Sequence, residues 1–440
     1  MLFGTSGIRG LYGKEVTEEL AMEVANIFAD RDVAIGRDTR QTGMPLSEAA
    51  AAGVMASGRD AIALGIVPTP TLALATRKRS CNGIMLTASH NPPEYNGLKL
   101  FTDGREIPRS KEAEIEQAHS CGVSHTAQWD KAGRYGVDKG AIFEHIALVS
   151  SLVDAQAIRG KGPKVVIDCN GAGGAMTPNL LKDLGCDVVV LNGGLSGFGR
   201  PSEPNEKNLA ELAQLVPKIG ADLGLAHDGD ADRTIAVDEK GRVLPLDVQL
   251  AMMCQHELRK SKNKKIVSTM EASLAVREAV ESEGGSIAIT PVGSLHVMEE
   301  LEKQGALFGG EPCGEYIYEK GVHVPDGPLA AAKMVEIFVQ EGPLSALAKK
   351  FKTNPMAREK FESRKKYEVV GAIKKEIRIE GKRSEEDGIR IDEEDGWLLI
   401  RASGTEPFVR LTMEYKSKEK LEGRKKELSA LIMRKIKEAD

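Results

Sequence analysis

Three aspartates, Asp228, Asp230 and Asp232, stand two residues apart in GLAHDGDADRTIAVD, between two strand-like apolar runs. Three carboxylates in five positions repel one another unless a cation lies among them. Ligands that offer only oxygen select a hard ion, so the pattern points to Mg²⁺ before zinc. An acidic surface turn is the plain alternative. Counting an EF-hand from Asp228 puts acids at its first, third, fifth and twelfth positions, the last being Glu239. Its sixth position is Arg233, where that loop needs glycine, and its flanks are strand-like, so the EF-hand is excluded.

Ser89 follows an apolar run in LTASHNPPEYNGLKL and precedes His90, Asn91 and two prolines. Prolines stop a helix, which predicts a stiff, exposed loop that presents the hydroxyl. Consecutive side chains do not normally face each other, so Ser89 and His90 alone do not make a hydrolytic dyad. A polar turn is the bland reading. Asp230, Asp232 and Thr234 also spell DxDxT, the nucleophile motif of haloacid-dehalogenase phosphatases, which would make an aspartate the phosphate acceptor instead.

In LLIRASGTEPFVRL, Arg401, Ser403, Gly404 and Thr405 offer a guanidinium, two hydroxyls and backbone N–H groups, and Arg410 returns along the next strand. That set matches the oxygens of a phosphate, with arginine supplying a fork geometry that lysine lacks. Glu311 lies among glycines in FGGEPCGEYIY, where a carboxylate can accept hydrogen bonds from vicinal hydroxyls of a sugar.

The elements that must position these residues follow a recurring unit of apolar run, loop, helix, glycine and second apolar run. VAIGRDTR, LSEAAAAGVMASG and AIALGIVPTP form one copy, and KVVIDCNGAGG, TPNLLKDLG and CDVVVLNGG another. KIVSTM, SLAVREAVESEGG and SIAITPVG form a third. Strand, helix and strand within about 30 residues is a βαβ crossover, which predicts parallel or mixed sheets covered by helices. After KTNP the pattern changes to strand-like runs with turns and a final helix carrying Leu421, Leu428, Ile432 and Ile436 at helical spacing, an α+β arrangement. The expected organisation is three related α/β domains, 1–150, 151–245 and 246–355, and a C-terminal α+β domain, 356–440, around a central cleft. They carry in turn the Ser89 loop, the aspartate loop, the Glu311 loop and the phosphate loop.

The 440 residues allow roughly two to four domains. With 41% hydrophobic and 28% charged residues the chain reads as folded, and 60 basic against 65 acidic residues leave a net charge of −5. No global basic field exists to hold nucleic acid. Six cysteines without a CxxC pair argue against zinc or a disulfide framework. No window approaches the ~20 apolar residues of a membrane span and no signal segment is evident, so a cytoplasmic protein without a membrane partner is expected. Oligomeric state is left open.

Together and in this order, GTSGIRG, TASHNPPEYNGLK, DGDADR, GEPCG and RASGTEP resemble the α-D-phosphohexomutase family, which moves phosphate between the 1- and 6-positions of hexoses. The resemblance spans essentially the whole chain and implies four domains around one cleft. It makes Ser89 the phosphoserine, and Asp228, Asp230 and Asp232, with a phosphoserine oxygen, the holders of one Mg²⁺. Arg9 and Lys99 match positions of proton transfer and charge stabilisation; Arg233 and His90 join the catalytic group. Glu311 and Cys313 correspond to sugar readers, and Arg401, Ser403, Gly404, Thr405 and Arg410 to the clamp on the phosphate that is not reacting. A hexose 1,6-bisphosphate would serve as activator. TASHNP and GEP resemble the glucosamine-phosphate branch, particularly its archaeal members, which implies conversion of glucosamine 6-phosphate to the 1-phosphate towards UDP-N-acetylglucosamine. The phosphomannomutase/phosphoglucomutase branch is the alternative. Cys313 and Ser294 depart from residues common at their positions.

Overall fold

The computed structural model describes residues 2–4, 7–404 and 407–439. Among these the strands form four sheets, one for each successive stretch of chain. The first has the spatial order Ile8–Leu11, Tyr95–Thr102, Asn82–Leu86, Val33–Arg37, Ala61–Ile66 and Tyr135–Val137, with Arg105–Glu106 beside Tyr95–Thr102. In the second, Lys164–Asp168 lies parallel to Asp187–Leu191 and Leu223–Ala226. In the third, Lys265–Thr269 lies parallel to Ser286–Thr290 and Phe308–Gly310. These are the expected crossovers. Asn82–Leu86 and Leu223–Ala226 are buried at every position, which is why they read as continuous apolar runs and not as alternation.

The helices between them show their own local logic. Thr17 Oγ1 accepts from Leu20 N at 3.2 Å and so caps Glu18–Phe28; such a cap contributes about 1 kcal/mol. That helix packs on Gly43–Ala56 so closely that a Cβ on Gly53 would lie 2.1 Å from Met22 O. Any larger residue at Gly53 would force the two helices apart.

The fourth sheet is different, as expected of an α+β unit. Met356–Glu362, Phe408–Tyr415, Gly396–Ala402, Ile389–Glu393 and Lys382–Ser384 are all antiparallel neighbours. Helices Lys366–Glu376 and Lys418–Ala439 cover it, and the second buries Leu421, Leu428 and Ile432 against the sheet, with Ile436 partly buried beside them.

One core runs continuously from Val149 to Leu347 and joins the second and third sheets. The fourth sheet has its own core, from Val369 to Ile432. It meets the rest through a small apolar cluster of Met270, Trp397 and Leu399 and through polar links such as Arg358 Nη2 to Asp247 Oδ2 at 3.0 Å. Separate cores with a small, partly polar contact favour relative motion of the two bodies.

A single topological feature places the chemistry. Asn82–Leu86 and Tyr95–Thr102 are antiparallel neighbours, and so are Leu223–Ala226 and Ile235–Val237. The same holds for Phe308–Gly310 with Tyr316–Tyr318, and for Gly396–Ala402 with Phe408–Tyr415. The segments joining these four pairs carry Ser89, the three aspartates, Glu311 with Cys313, and Ser403 with Gly404. Each sheet therefore delivers part of its reactive set from one antiparallel turn, while Arg9, Lys99, Arg401 and Arg410 stand on strands. Among the described residues, no single helix is long and apolar enough to cross a membrane.

Candidate active site

Ser89 adopts φ +48°, left-handed backbone that residues with a Cβ seldom take. This turn rotates the side chain so that Ser89 Oγ donates to Asp228 Oδ2 at 2.8 Å and stands 3.3 Å from His90 Nδ1. The rule that consecutive side chains diverge fails here because of that backbone. The expectation of an exposed loop is also corrected, since Ser89 is only 1% exposed. The aspartate turn closes over it so tightly that a Cβ on Gly229 would lie 2.6 Å from Ser89 O. Arg233, burial and Arg9 push the His90 pKa well down, so its imidazole is neutral at physiological pH.

Asp228, Asp230 and Asp232 are all buried, and each offers an oxygen within 4.8 Å of the others. Ala231, between the last two, is also left-handed at φ +54°, a bend that turns both carboxylates to one side. Lys99 Nζ donates to Asp230 Oδ2 at 2.8 Å and to Asp232 Oδ2 at 2.7 Å, and Thr69 Oγ1 donates to Asp230 Oδ2 at 2.6 Å. Asp230 Oδ1 and Asp232 Oδ1 are buried without a hydrogen-bond partner among the described residues.

The electrostatics follow from this arrangement. Burial and the charges of Asp232 and Asp230 push Asp228 well up, and burial with Asp230 raises Asp232. Burial would raise Asp230 too, but Lys99 and Thr69 reverse the shift. Burial disfavours the Lys99 ammonium, yet Asp230 and Asp232 overcome it and hold the amine charged. One ammonium does not neutralise three carboxylates. Oxygen-only donors, two of them orphaned, fit a hard divalent cation.

Arg233 reaches the aspartates through its backbone, whose N–H donates to Asp228 Oδ1 at 3.3 Å, while its guanidinium turns elsewhere. Its Nε and Nη2 donate to Glu315 Oε1 at 3.0 and 2.8 Å, which aims the guanidinium across the cleft. Glu311 Oε2 accepts from Gly293 N at 3.1 Å, and burial with the charge of Glu315 pushes its pKa up to about 8. Burial and Glu315 likewise raise the Cys313 thiol well above its ordinary value, so it presents an S–H and no thiolate.

At the far side, Arg401 and Arg410 are direct cross-strand partners. Like charges placed opposite each other destabilise a sheet, and an anion between them removes that cost. Arg401 is oriented by Glu271, which accepts from its Nε at 2.9 Å, and by Asp387. Ser403 N donates to Phe408 O at 2.8 Å and Lys366 Nζ to Ser403 O at 2.5 Å, which fixes the start of the turn. Thr405 lies outside the described residues.

A cleft of about 330 Å³ joins these parts. Arg9, His90, Lys99, Asp232, Arg233, Glu311, Cys313, Arg401, Ser403, Gly404 and Arg410 line it, with Ser294 beside them. Ser89, Asp228 and Asp230 sit beneath its floor, linked by the bonds above. Seven Lys or Arg side chains face five carboxylates along the cleft, a local excess of cations in a chain of net charge −5. Such a site suits an anion. Sequence reasoning did not find Glu315, Glu271, Lys360 or Arg109, which also line the cleft. Glu315 stood within the quoted GEPCGE stretch, but its partner Arg233 is 82 residues away.

Family models described as phosphoglucomutase/phosphomannomutase alpha/beta/alpha domains I, II and III match residues 1–121, 143–241 and 247–354, and the C-terminal domain of the same family matches 353–431. A protein of Methanopyrus kandleri named "Probable phosphoglucosamine mutase" is 38% identical over 449 residues, covering 99% of this chain and 98% of its own. One of the same name from Methanosarcina barkeri is 41% identical over 421 residues, covering 94% and 95%. Among solved structures, a phosphoglucomutase/phosphomannomutase family protein from Burkholderia thailandensis superposes with a TM-score of 0.87 at 24% identity, covering 99% and 97% of the two chains. That last likeness concerns the fold.

Proposed function

This chain belongs to the phosphoglucomutase/phosphomannomutase family, and from that premise we propose that it interconverts glucosamine 6-phosphate and glucosamine 1-phosphate with Ser89 as phosphate carrier. The observation that carries the reading is one cleft with a hydroxyl beside three carboxylates at one end and two facing arginines at the other. A mutase needs both, one site where phosphate is exchanged and one where the second phosphate is gripped.

In the forward half-reaction the phosphoserine P–O bond breaks and a bond forms from phosphorus to the free sugar hydroxyl, whose proton leaves to a base in the cleft. The product is a hexose 1,6-bisphosphate. It turns over in the cleft, and Ser89 Oγ takes the other phosphoryl group as that group's bond to the sugar oxygen breaks and the oxygen regains the proton held by the cleft base. On that return the serine hydrogen is already directed at Asp228 Oδ2, and the neutral His90 offers a second acceptor. Arg9, Lys99 and Arg233 supply positive charge to the phosphoryl oxygens, the main requirement of this chemistry. Asp228, Asp230 and Asp232, with a phosphoserine oxygen, would hold one Mg²⁺, which adds further neutralisation of the transferring group. Arg401, Ser403, Gly404, Thr405 and Arg410 grip the phosphate at rest. Glu311 and Cys313 read the sugar between, and a bisphosphate primes an unphosphorylated Ser89.

One observation favours the amino sugar: the relatives at 38% and 41% identity bear that name. The six cysteines are free, which supports a reducing, cytoplasmic setting.

The test is to incubate the chain with Mg²⁺, a trace of bisphosphate and each of glucosamine, glucose and mannose 6-phosphates, and compare kcat/KM. The expected order has glucosamine 6-phosphate first; finding it poorest removes the amino-sugar assignment. Ser89→Ala abolishes isomerisation. If Asp230→Asn abolishes turnover while Ser89→Ala leaves it intact, an aspartyl phosphatase is the better description.

A further inference from the structure

The backbone of Ser89 is held by a side chain outside the four turns. Arg40 lies just beyond the strand Val33–Arg37 and is only 2% exposed. Its Nη2 donates to Ser89 O at 2.9 Å and Asn91 O at 2.8 Å, and its Nη1 to Pro92 O at 2.5 Å and Tyr95 O at 2.7 Å. Its Nε donates to Asp38 Oδ2 at 3.0 Å, so all the N–H donors of the guanidinium are engaged. Four carbonyls of the Ser89 turn thus converge on one cation.

The same network reaches the other side of the serine. Asp38 Oδ2 accepts from Thr87 Oγ1 at 2.7 Å, and Thr87 Oγ1 accepts from Ser89 N at 2.9 Å. From the second sheet's flank, Ser202 Oγ donates to Ser89 O at 2.7 Å, and the Phe198 ring covers the Arg40 guanidinium at 4.9 Å. A left-handed, non-glycine residue persists only where its surroundings over-determine it. Here they do so at both its N–H and its C=O.

We propose that Arg40 is a positioning residue for phosphoryl transfer: it gathers the carbonyls of the Ser89 turn, fixes the left-handed backbone, and so aims Oγ at the reacting phosphorus, with Ser202 and Phe198 completing the hold. The inference rests on the reading of Ser89 as phosphate carrier. Among the described residues, Arg40 bonds none of the sugar and phosphate grips, which lie on the third and fourth sheets. Its loss therefore acts on the transfer rate and not on substrate affinity. Lysine at this position keeps the charge but has three donors and no fork, so it cannot reproduce the pattern.

The experiment uses the full chain with Mg²⁺ and glucose 1,6-bisphosphate as probe, and follows Ser89 phosphorylation by rapid quench and mass spectrometry in parent, Arg40→Lys and Ser202→Ala, together with kcat, KM and Tm. Arg40→Lys is expected to slow phosphorylation on the order of 100-fold and Ser202→Ala about tenfold, with KM for hexose phosphate within about twofold of the parent. A folded Arg40→Lys protein that phosphorylates Ser89 within about threefold of the parent rate, or whose deficit lies in KM, overturns the proposal. If Arg40→Lys does not fold, Ser202→Ala decides on the same criteria. If the parent takes no phosphate on Ser89, the mutase reading itself falls and takes this inference with it; a normal parent with an equally fast variant removes Arg40 alone.

Discussion

Lys99 offers the sharpest test of the charge balance beneath the cleft. Lys99→Met keeps most of the stem's volume and deletes the ammonium that donates to Asp230 Oδ2 at 2.8 Å and Asp232 Oδ2 at 2.7 Å. Two charge-assisted hydrogen bonds at about 1.5–3 kcal/mol each and the known cost of orphaning one partner of a buried ion pair, about 3–5 kcal/mol, bracket the same loss. At a slope of about 2 kcal/mol per molar, the urea midpoint of the first transition should fall by roughly 2 M in EDTA. In the parent, a divalent cation held as proposed would compete with Lys99 for the aspartates; in the variant it would not. Mg²⁺ should therefore bind the variant more tightly and return most of the lost stability, with each tenfold in affinity worth about 1.4 kcal/mol. The assay is urea denaturation of both proteins with and without Mg²⁺, paired with calorimetric titration of the ion. A variant midpoint equal to the parent's in EDTA, or a deficit that Mg²⁺ leaves unchanged, would refute the reasoning.

Two further outcomes are expected. Arg410→Gln removes one of two opposed guanidiniums, so KM for hexose phosphate, read by steady-state kinetics, should rise about 10- to 100-fold. In the helix core, burial opposes a charged His256, but Glu336 and Glu341, at 3.0 and 2.9 Å from its ring nitrogens, raise its pKa above the ordinary value. A folded pKa above the unfolded one means that this stabilisation is complete below about pH 6.5 and fades as pH rises through the raised value. His256→Gln should flatten that part of the urea-midpoint profile; a variant profile parallel to the parent's would show that the histidine contributes nothing there.

How much was legible depended on distance along the chain. The aspartate trio, the prolines after Ser89 and the Arg-Ser-Gly run are local patterns whose chemistry follows from neighbours in sequence, and the βαβ units were visible because each opens on a largely buried strand, Val33–Arg37, Lys164–Asp168 and Lys265–Thr269. Glu271 was invisible because its partner Arg401 is 130 residues away. Arg40 and Asp38 passed as the end of an apolar strand, VAIGRDTR, although Arg40 grips a carbonyl 49 residues on. The burial of Ser89 was missed for a related reason: a loop with prolines looks exposed until another sheet closes over it. Its contact with His90 depended on a single positive φ, and no residue type announces that outside glycine.

The four antiparallel turns have a consequence for how such an enzyme can change. Phe308–Gly310 and Tyr316–Tyr318 are paired residue for residue, so positions 311–314 are bounded by a ladder that holds its register whatever they contain, with Glu315 set apart as the partner of Arg233. They form an exchangeable cassette, and the one carrying Ser89 is a different cassette on a different sheet. Preference for a sugar can therefore drift through substitutions in one turn while the phosphoryl chemistry is inherited unchanged in the others. An architecture of this kind separates what is recognised from what is done, and a lineage can revise the first without risking the second.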